Sequence, residues 1–163
     1  HNGNLDTSIP LTLAKNIEDY LSGYRMINDY VEIKAGRIIN LSFEIDVIVD
    51  KNYNKIDVIR SIIDTTTAYM DINKHIMGEE IYIGDLQKEI SKIDGIINLI
   101  SLKVYNKIGD GYGAQVSQET IDEGSDELLI DLDATDGILY NDGDTMMEIK
   151  KPAEDIKIRI KER

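Results

Sequence analysis

The sequence predicts an α+β fold, and three observations carry that reading. Leu41, Phe43, Ile45, Val47 and Val49 alternate with Ser42, Glu44, Asp46, Ile48 and Asp50, the period of a strand with one buried face. Directly after it, Ile56, Ile59, Ile62, Ile63, Thr66 and Met70 recur at helical spacing over about eighteen residues. A second run rich in β-formers, Ile96 to Ile108, places Ile100, Leu102 and Val104 on one face.

Taken in order, the chain first offers a helix over residues 12–22. Pro10 and Thr12 suit its start, Leu13, Ile17, Tyr20 and Leu21 form its stripe, and Gly23 suits its end. Tyr30 to Ile39 breaks at Ala35-Gly36, where glycine can supply the positive φ of a tight reversal, so a β-hairpin is expected with Leu41–Val49 as its second arm. Lys51 to Asn54 turns the chain into the long helix. Glu80 to Ile83 can make a short strand, Asp85 can cap a helix carrying Leu86, Ile90 and Ile93, and Gly95 suits the stop. Strand, helix, short strand, helix, strand is the pattern of a ferredoxin-like two-layer sandwich, a small sheet covered by two helices.

Residues 1–108 therefore make an α+β body. Residues 109–126 are a Gly-rich acidic loop with no apolar period. Residues 127–163 form a β-rich tail: Glu127 to Leu132, Ile138 to Tyr140, Thr145 to Lys150, and Ile156, Ile158 and Ile160 alternating with Lys157, Arg159 and Lys161. Pro152 fits a turn or strand edge. A tail with so little core of its own must pack on the body or on a partner, because a pair of strands alone is marginal in water.

Composition narrows the functions. The 163 residues carry 31 acidic against 18 basic side chains, a formal charge of −13, which repels phosphate backbones and anionic lipids. Lys150, Lys151, Lys157, Arg159, Lys161 and Arg163 do gather at the C-terminus, but that stretch lacks the aromatic rings that stack on bases. Neither nucleic acid nor membrane is an expected partner, and no apolar run approaches the length of a bilayer span. With no cysteine, disulfides, thiolate metal sites and thiol nucleophiles are out of reach. A chain beginning at His1 reads as a fragment of a longer polypeptide or the scar of a tag.

Reaction chemistry finds few candidates. Of two histidines one is terminal, and His75, just after a helix, fits a solvated or capping role better than catalysis. Asp131, Asp133 and Asp136, followed by Asp142 and Asp144, are the only oxygen-rich set that could hold calcium. Their spacing displaces the glycine of an EF-hand loop and puts Asp142 where a bidentate glutamate belongs, so a solvated acidic loop is the plainer reading. Gly109-Asp110-Gly111-Tyr112-Gly113 lacks the lysine and helix of a phosphate cradle and reads as a turn. No catalytic, cofactor-binding or metal residues are assigned. Nine tyrosines against one phenylalanine and no tryptophan suit a protein interface, with Tyr20, Tyr24, Tyr30, Tyr69, Tyr82 and Tyr105 at element ends or half-exposed positions. The interface candidates are Tyr20, Tyr24, Met147, Ile149, Ile156, Ile158 and Ile160.

Tyr20-Leu21-Ser22-Gly23-Tyr24-Arg25-Met26, Val31-Glu32-Ile33-Lys34 and Asn40-Leu41-Ser42-Phe43-Glu44-Ile45-Asp46-Val47 carry a resemblance. Asp50-Lys51-Asn52-Tyr53-Asn54-Lys55, Ile93-Asp94-Gly95-Ile96 and Glu148-Ile149-Lys150-Lys151-Pro152-Ala153-Glu154-Asp155-Ile156-Lys157 continue it in order. Over Leu11 to Arg163 the chain resembles the C-terminal region of the baseplate wedge protein of T-even-type contractile-tailed bacteriophages, a relative of the baseplate J-like family. The segment 109–126 departs from the family pattern. The resemblance implies a ring-forming structural virion protein of the tail baseplate, assembled in the host cytoplasm. Its C-terminal part would pair with another copy, linking wedges around the hub, with other wedge proteins as further partners and no cofactor or catalytic residue to carry over. A two-fold contact would use residues 145 to 160 as its edge. The alternative, by fold analogy, is a ligand-binding regulatory module.

Overall fold

The computed structural model describes residues 5, 8–26, 29–109, 112, 126–133 and 135–163. Its axis is one long strand, β1 (Arg37–Val49), whose alternating half supplies Leu41, Phe43, Ile45, Val47 and Val49 to the core, all at most 1% exposed. The chain then climbs through α2 (Lys55–Tyr69), after an earlier helix α1 (Leu11–Ser22). Asn54 caps α2 by accepting from the Ile56 amide at 3.0 Å. The short strand β2 (Ile81–Tyr82) leads straight into α3 (Ile83–Ser91), and β3 (Ile96–Asn106) returns antiparallel to β1, with Phe43 opposite Val104 and Ile45 opposite Leu102. Gly95 makes the reversal into β3 at φ 92°, where an added Cβ would lie 2.6 Å from the Tyr53 ring.

The C-terminal third completes the same sheet. β4 (Glu127–Asp131) pairs antiparallel with β3, and β5 (Ile138–Leu139) pairs with β2 in a separate two-stranded sheet. β6 (Thr145–Glu148) and β7 (Ile156–Glu162) both run parallel to β1 along its free side. The first covers Arg37–Asn40 and the second Phe43–Val49. Between them the chain steps out through α4 (Pro152–Asp155), with Pro152 in its first turn. The main sheet thus has the order β4-β3-β1 with β6 and β7 in line beyond β1. Val58, Ile62 and Thr66 of α2 and Ile83, Leu86 and Ile90 of α3 cover the odd-numbered face of β1.

Several expectations need correcting. The α+β class and the helix-covered sheet stand, but the short strand between the helices does not enter the main sheet as it would in a ferredoxin-like sandwich; β2 finds β5 instead. Residues 30–36 form no strand, so there is no hairpin, and β1 begins at Arg37, whose amide donates to the Asp144 carbonyl at 2.8 Å. Gly36 is needed for close approach: a Cβ there would meet the Met77 Cε at 2.5 Å and the Asp144 carbonyl at 3.0 Å. On α2, Val58 takes the buried position and Ile56 lies exposed. α3 starts two residues ahead of Asp85, which sits in its first turn and pairs with Lys88 at 2.8 Å. The loop expected over 109–126 falls outside the described residues except for Gly109, Tyr112 and Asp126.

Candidate functional site

Two surfaces stand apart from the core, and the first is an arm. Leu5 and Gly36 line one small pocket with Arg37, Ile38, Met77 and Met146, and the Leu5 amide donates to Glu148 Oε2 at 2.9 Å. The chain between these two feet carries α1, which has no buried residue. Leu11 is 89%, Tyr20 66% and Tyr24 75% exposed; Leu13, Ile17, Met26 and Tyr30 are exposed too. The returning segment lies along the helix, with Arg25, Tyr30 and Val31 lining a depression beside Glu18, Asp19 and Ser22. Tyr20 and Tyr24 rings sit 5.2 Å apart between centroids. Among the described residues this apolar helix stripe is left in water.

The second is the sheet face opposite α2 and α3. Even-numbered residues of β1 meet charged neighbours there in register: Glu44 lies beside Lys103 of β3 and Lys157 of β7, and Lys103 lies beside Asp131 of β4. Lys103 Nζ reaches Asp131 at 3.0 Å, and that bond raises the lysine above its ordinary range. Arg159 approaches Glu44 at 3.3 Å and Asp46 at 3.8 Å, and Lys157 approaches Glu44 at 3.9 Å. Burial first, and the Glu44 charge second, push the Tyr105 hydroxyl up. Of the C-terminal basic run, Lys157 and Arg159 thus face the β1 acids Glu44 and Asp46.

The expected site residues divide. Tyr20 and Tyr24 lie on the arm in solvent. Met147 and Ile156 are 3% and 5% exposed, so their side chains belong to the chain's own core and cannot themselves form a contact surface, contrary to expectation. Ile149, Ile158 and Ile160 are half-buried against that core. The reason is the parallel pairing of β6 and β7 with β1, which turns one face of each inward.

The other chemistry is similarly placed. A groove of about 630 Å³ between α2 and the β6–α4 connection is lined by Ile63, Met70, Ile149 and Pro152 with Asp64 and Asp71. Of the calcium candidates, Asp131 is engaged with Lys103, while Asp136 accepts from Tyr140 at 2.8 Å and is held below the usual carboxylate range by that bond. Among the described residues no three metal-binding side chains converge. His75 Nε2 lies 2.9 Å from the Tyr69 carbonyl, at the last residue of α2, so the imidazole donates to a helix end; Nδ1 faces Glu79 at 3.4 Å. No described helix is long and apolar enough to cross a membrane.

Sequence reasoning missed two features. Asp155 is fully buried, accepting from the Tyr112 hydroxyl at 2.7 Å and the Lys151 amide at 2.8 Å. Arg37 holds both Asp144, at 2.7 Å, and Asp142, at 2.5 Å, which fixes the foot of the arm. Both link residues far apart in sequence, and no local spacing signals them. No protein-family model matches the chain, and no curated protein matches it either.

Proposed function

We propose that the chain is a structural, non-enzymatic module that joins copies of itself, serving as the C-terminal part of a phage tail baseplate wedge subunit. The observation that carries the self-association is the arm: a helix whose apolar stripe, Leu13, Ile17 and Tyr20, continued by Tyr24 just after it, lies exposed among the described residues. The ordered resemblance to wedge proteins gives that association its setting, a ring around the tail hub. His75, the one internal histidine, is spent on a helix end.

Static light scattering over a wide concentration range tests it. The chain is expected to associate, and Ile17→Asp with Tyr20→Asp to return it to a single-chain mass with an unchanged melting temperature, since neither side chain is in the core. A chain that stays monomeric at high concentration while binding a small compound, the groove beside α2 being the place for one, overturns the proposal in favour of a ligand-binding module.

A further inference from the structure

The arm and the groove beside α2 meet at one residue. Glu148 lines the groove of about 630 Å³ together with Ile63, Ala68, Met70, Ile149 and Ala153. The same side chain accepts the Leu5 amide at 2.9 Å, at the foot of the arm. The arm therefore springs from the edge of the groove without entering it, since no residue of α1 is buried. The two also agree in length. From Ile63 to Met70 the groove follows α2 and its cap for about 10 Å, and the stripe from Leu13 to Tyr20 on α1 spans about the same.

We propose that α1 of one copy lies in the groove of a second, which returns its own α1 to the groove of the first. This deepens the arm reading and rests on it, naming what the arm docks on. Because foot and groove adjoin through Glu148, a single two-fold operation serves both contacts at once. Leu13, Ile17 and Tyr20 stand at i, i+4 and i+7, the spacing by which a helix anchors in an apolar groove.

The remaining faces of α1 are polar. At about 100° per residue, Lys15, Glu18 and Asp19 lie away from the stripe, so none of them is carried into the groove. Glu18 and Asp19 border the depression lined by Arg25 and Tyr30 of the arm's own returning segment. The apolar side is what is left to a partner. Charge fits at the helix end as well. Pro10 caps α1 without a side-chain bond and no acid stands in the first turn, so the positive end of the helix dipole lacks a local carboxylate. The groove supplies carboxylates on its rim: Asp64 is exposed, and Asp71 is bonded to the backbone and side-chain amides of Asn73 and not to a cation. An arm-to-arm pair would bury one stripe per copy and leave the groove open. Exchange engages the arm and the groove of both copies, which better approaches the roughly 800 Å² per partner of a standard interface.

Two measurements test the exchange. Ala68 and Ala153 are exposed, so Ala68→Glu with Ala153→Glu leaves the core alone, and melting curves confirm that the variant is folded. In sedimentation equilibrium it should associate about tenfold more weakly than the unaltered chain, as when a central contact is lost. The chain has no cysteine, so an introduced one is the only thiol present. Chains carrying Ile17→Cys and chains carrying Ala68→Cys, mixed with oxidised glutathione, should give a disulfide-linked pair. Ile97→Cys, exposed at the far end of the sheet beside the partners of Ile48 and Val49, should not link to Ile17→Cys. Association unchanged by the groove substitutions, or Ile17→Cys linking to itself faster than to Ala68→Cys, overturns the exchange and leaves the arm reading intact. A chain that remains monomeric throughout overturns both.

Discussion

The arm and the C-terminal strands begin as similar problems: each is a short stretch with an apolar stripe and too little core to fold alone. Ile156, Ile158 and Ile160 find a home along β1, in line with β6, and the first of them is almost fully enclosed. Leu13, Ile17 and Tyr20 find none among the described residues. What separates them is the backbone. A strand can join an existing sheet by hydrogen bonds to an unpaired edge, and β1 offers thirteen residues of it. A helix satisfies its own backbone and needs only a complementary apolar surface, which α2 and α3 have already taken.

The contrast breaks most sharply under alanine. Ile156→Ala removes a core side chain and should cost roughly 2–4 kcal/mol, while Leu13→Ala, on the exposed arm, should stay within about 0.5 kcal/mol. Urea unfolding of both variants at low concentration, where copies do not associate, measures the difference. Equal costs would mean that the arm is packed or that β7 is dispensable.

A second comparison concerns carboxylates. Asp155 is buried and accepts two hydrogen bonds, so Asp155→Ala strands the Tyr112 hydroxyl and the Lys151 amide and should cost about 1–3 kcal/mol. Asp29 accepts the Met26 amide at 3.1 Å within the exposed arm, where water replaces a lost acceptor, and Asp29→Ala should have no more than a few tenths of that effect. The same unfolding measurement ranks the two. The Asp155 network also pins Tyr112, whose hydroxyl is raised by burial and by the bond to Asp155.

What could be read in the sequence was whatever has a local period. Leu41 to Val49 buries its odd-numbered residues, with Ser42 enclosed as well, because period-two alternation and burial on one face are the same fact. The helices at 55–69 and 83–91 followed from their stripes, though Ile56 shows the limit: helical spacing is shared by two adjacent faces, and Val58, not Ile56, points at the sheet. The hairpin failed because Ala35-Gly36 is needed for contact with Met77 and not for a turn between paired strands. The partner of the last strands could not be read, since β6 and β7 lie parallel to a strand a hundred residues earlier and parallel pairing leaves no turn signal. Of the surfaces, Tyr20 and Tyr24 were legible as amphipathic rings at the end of a helix and just beyond it. The charges in register across the open sheet face were not, because they come from four strands whose register only the fold supplies.

The smallest expected effect is at the foot of the arm, where Arg37 binds Asp142 and Asp144. The guanidinium holds the Asp144 carboxyl below its ordinary value of 3.8. A carboxyl lowered in the folded state binds its proton more weakly there than in the unfolded chain, so the stabilisation is complete above the ordinary carboxylate range and is lost as pH falls through the folded value. Arg37→Met should therefore leave a small, constant loss of melting temperature from neutral pH down to about pH 5, and that loss should shrink below about pH 4 as the carboxyl takes up its proton in both states. Because all three side chains are largely in water, the loss should be far smaller than that of Ile156→Ala. Hydrogen exchange of the Arg37 amide, bonded to the Asp144 carbonyl, reads the same event locally. An unchanged rate in the variant would mean that β1 is anchored by its pairing with β6 alone, and that the arm's foot is held by strands and not by charge.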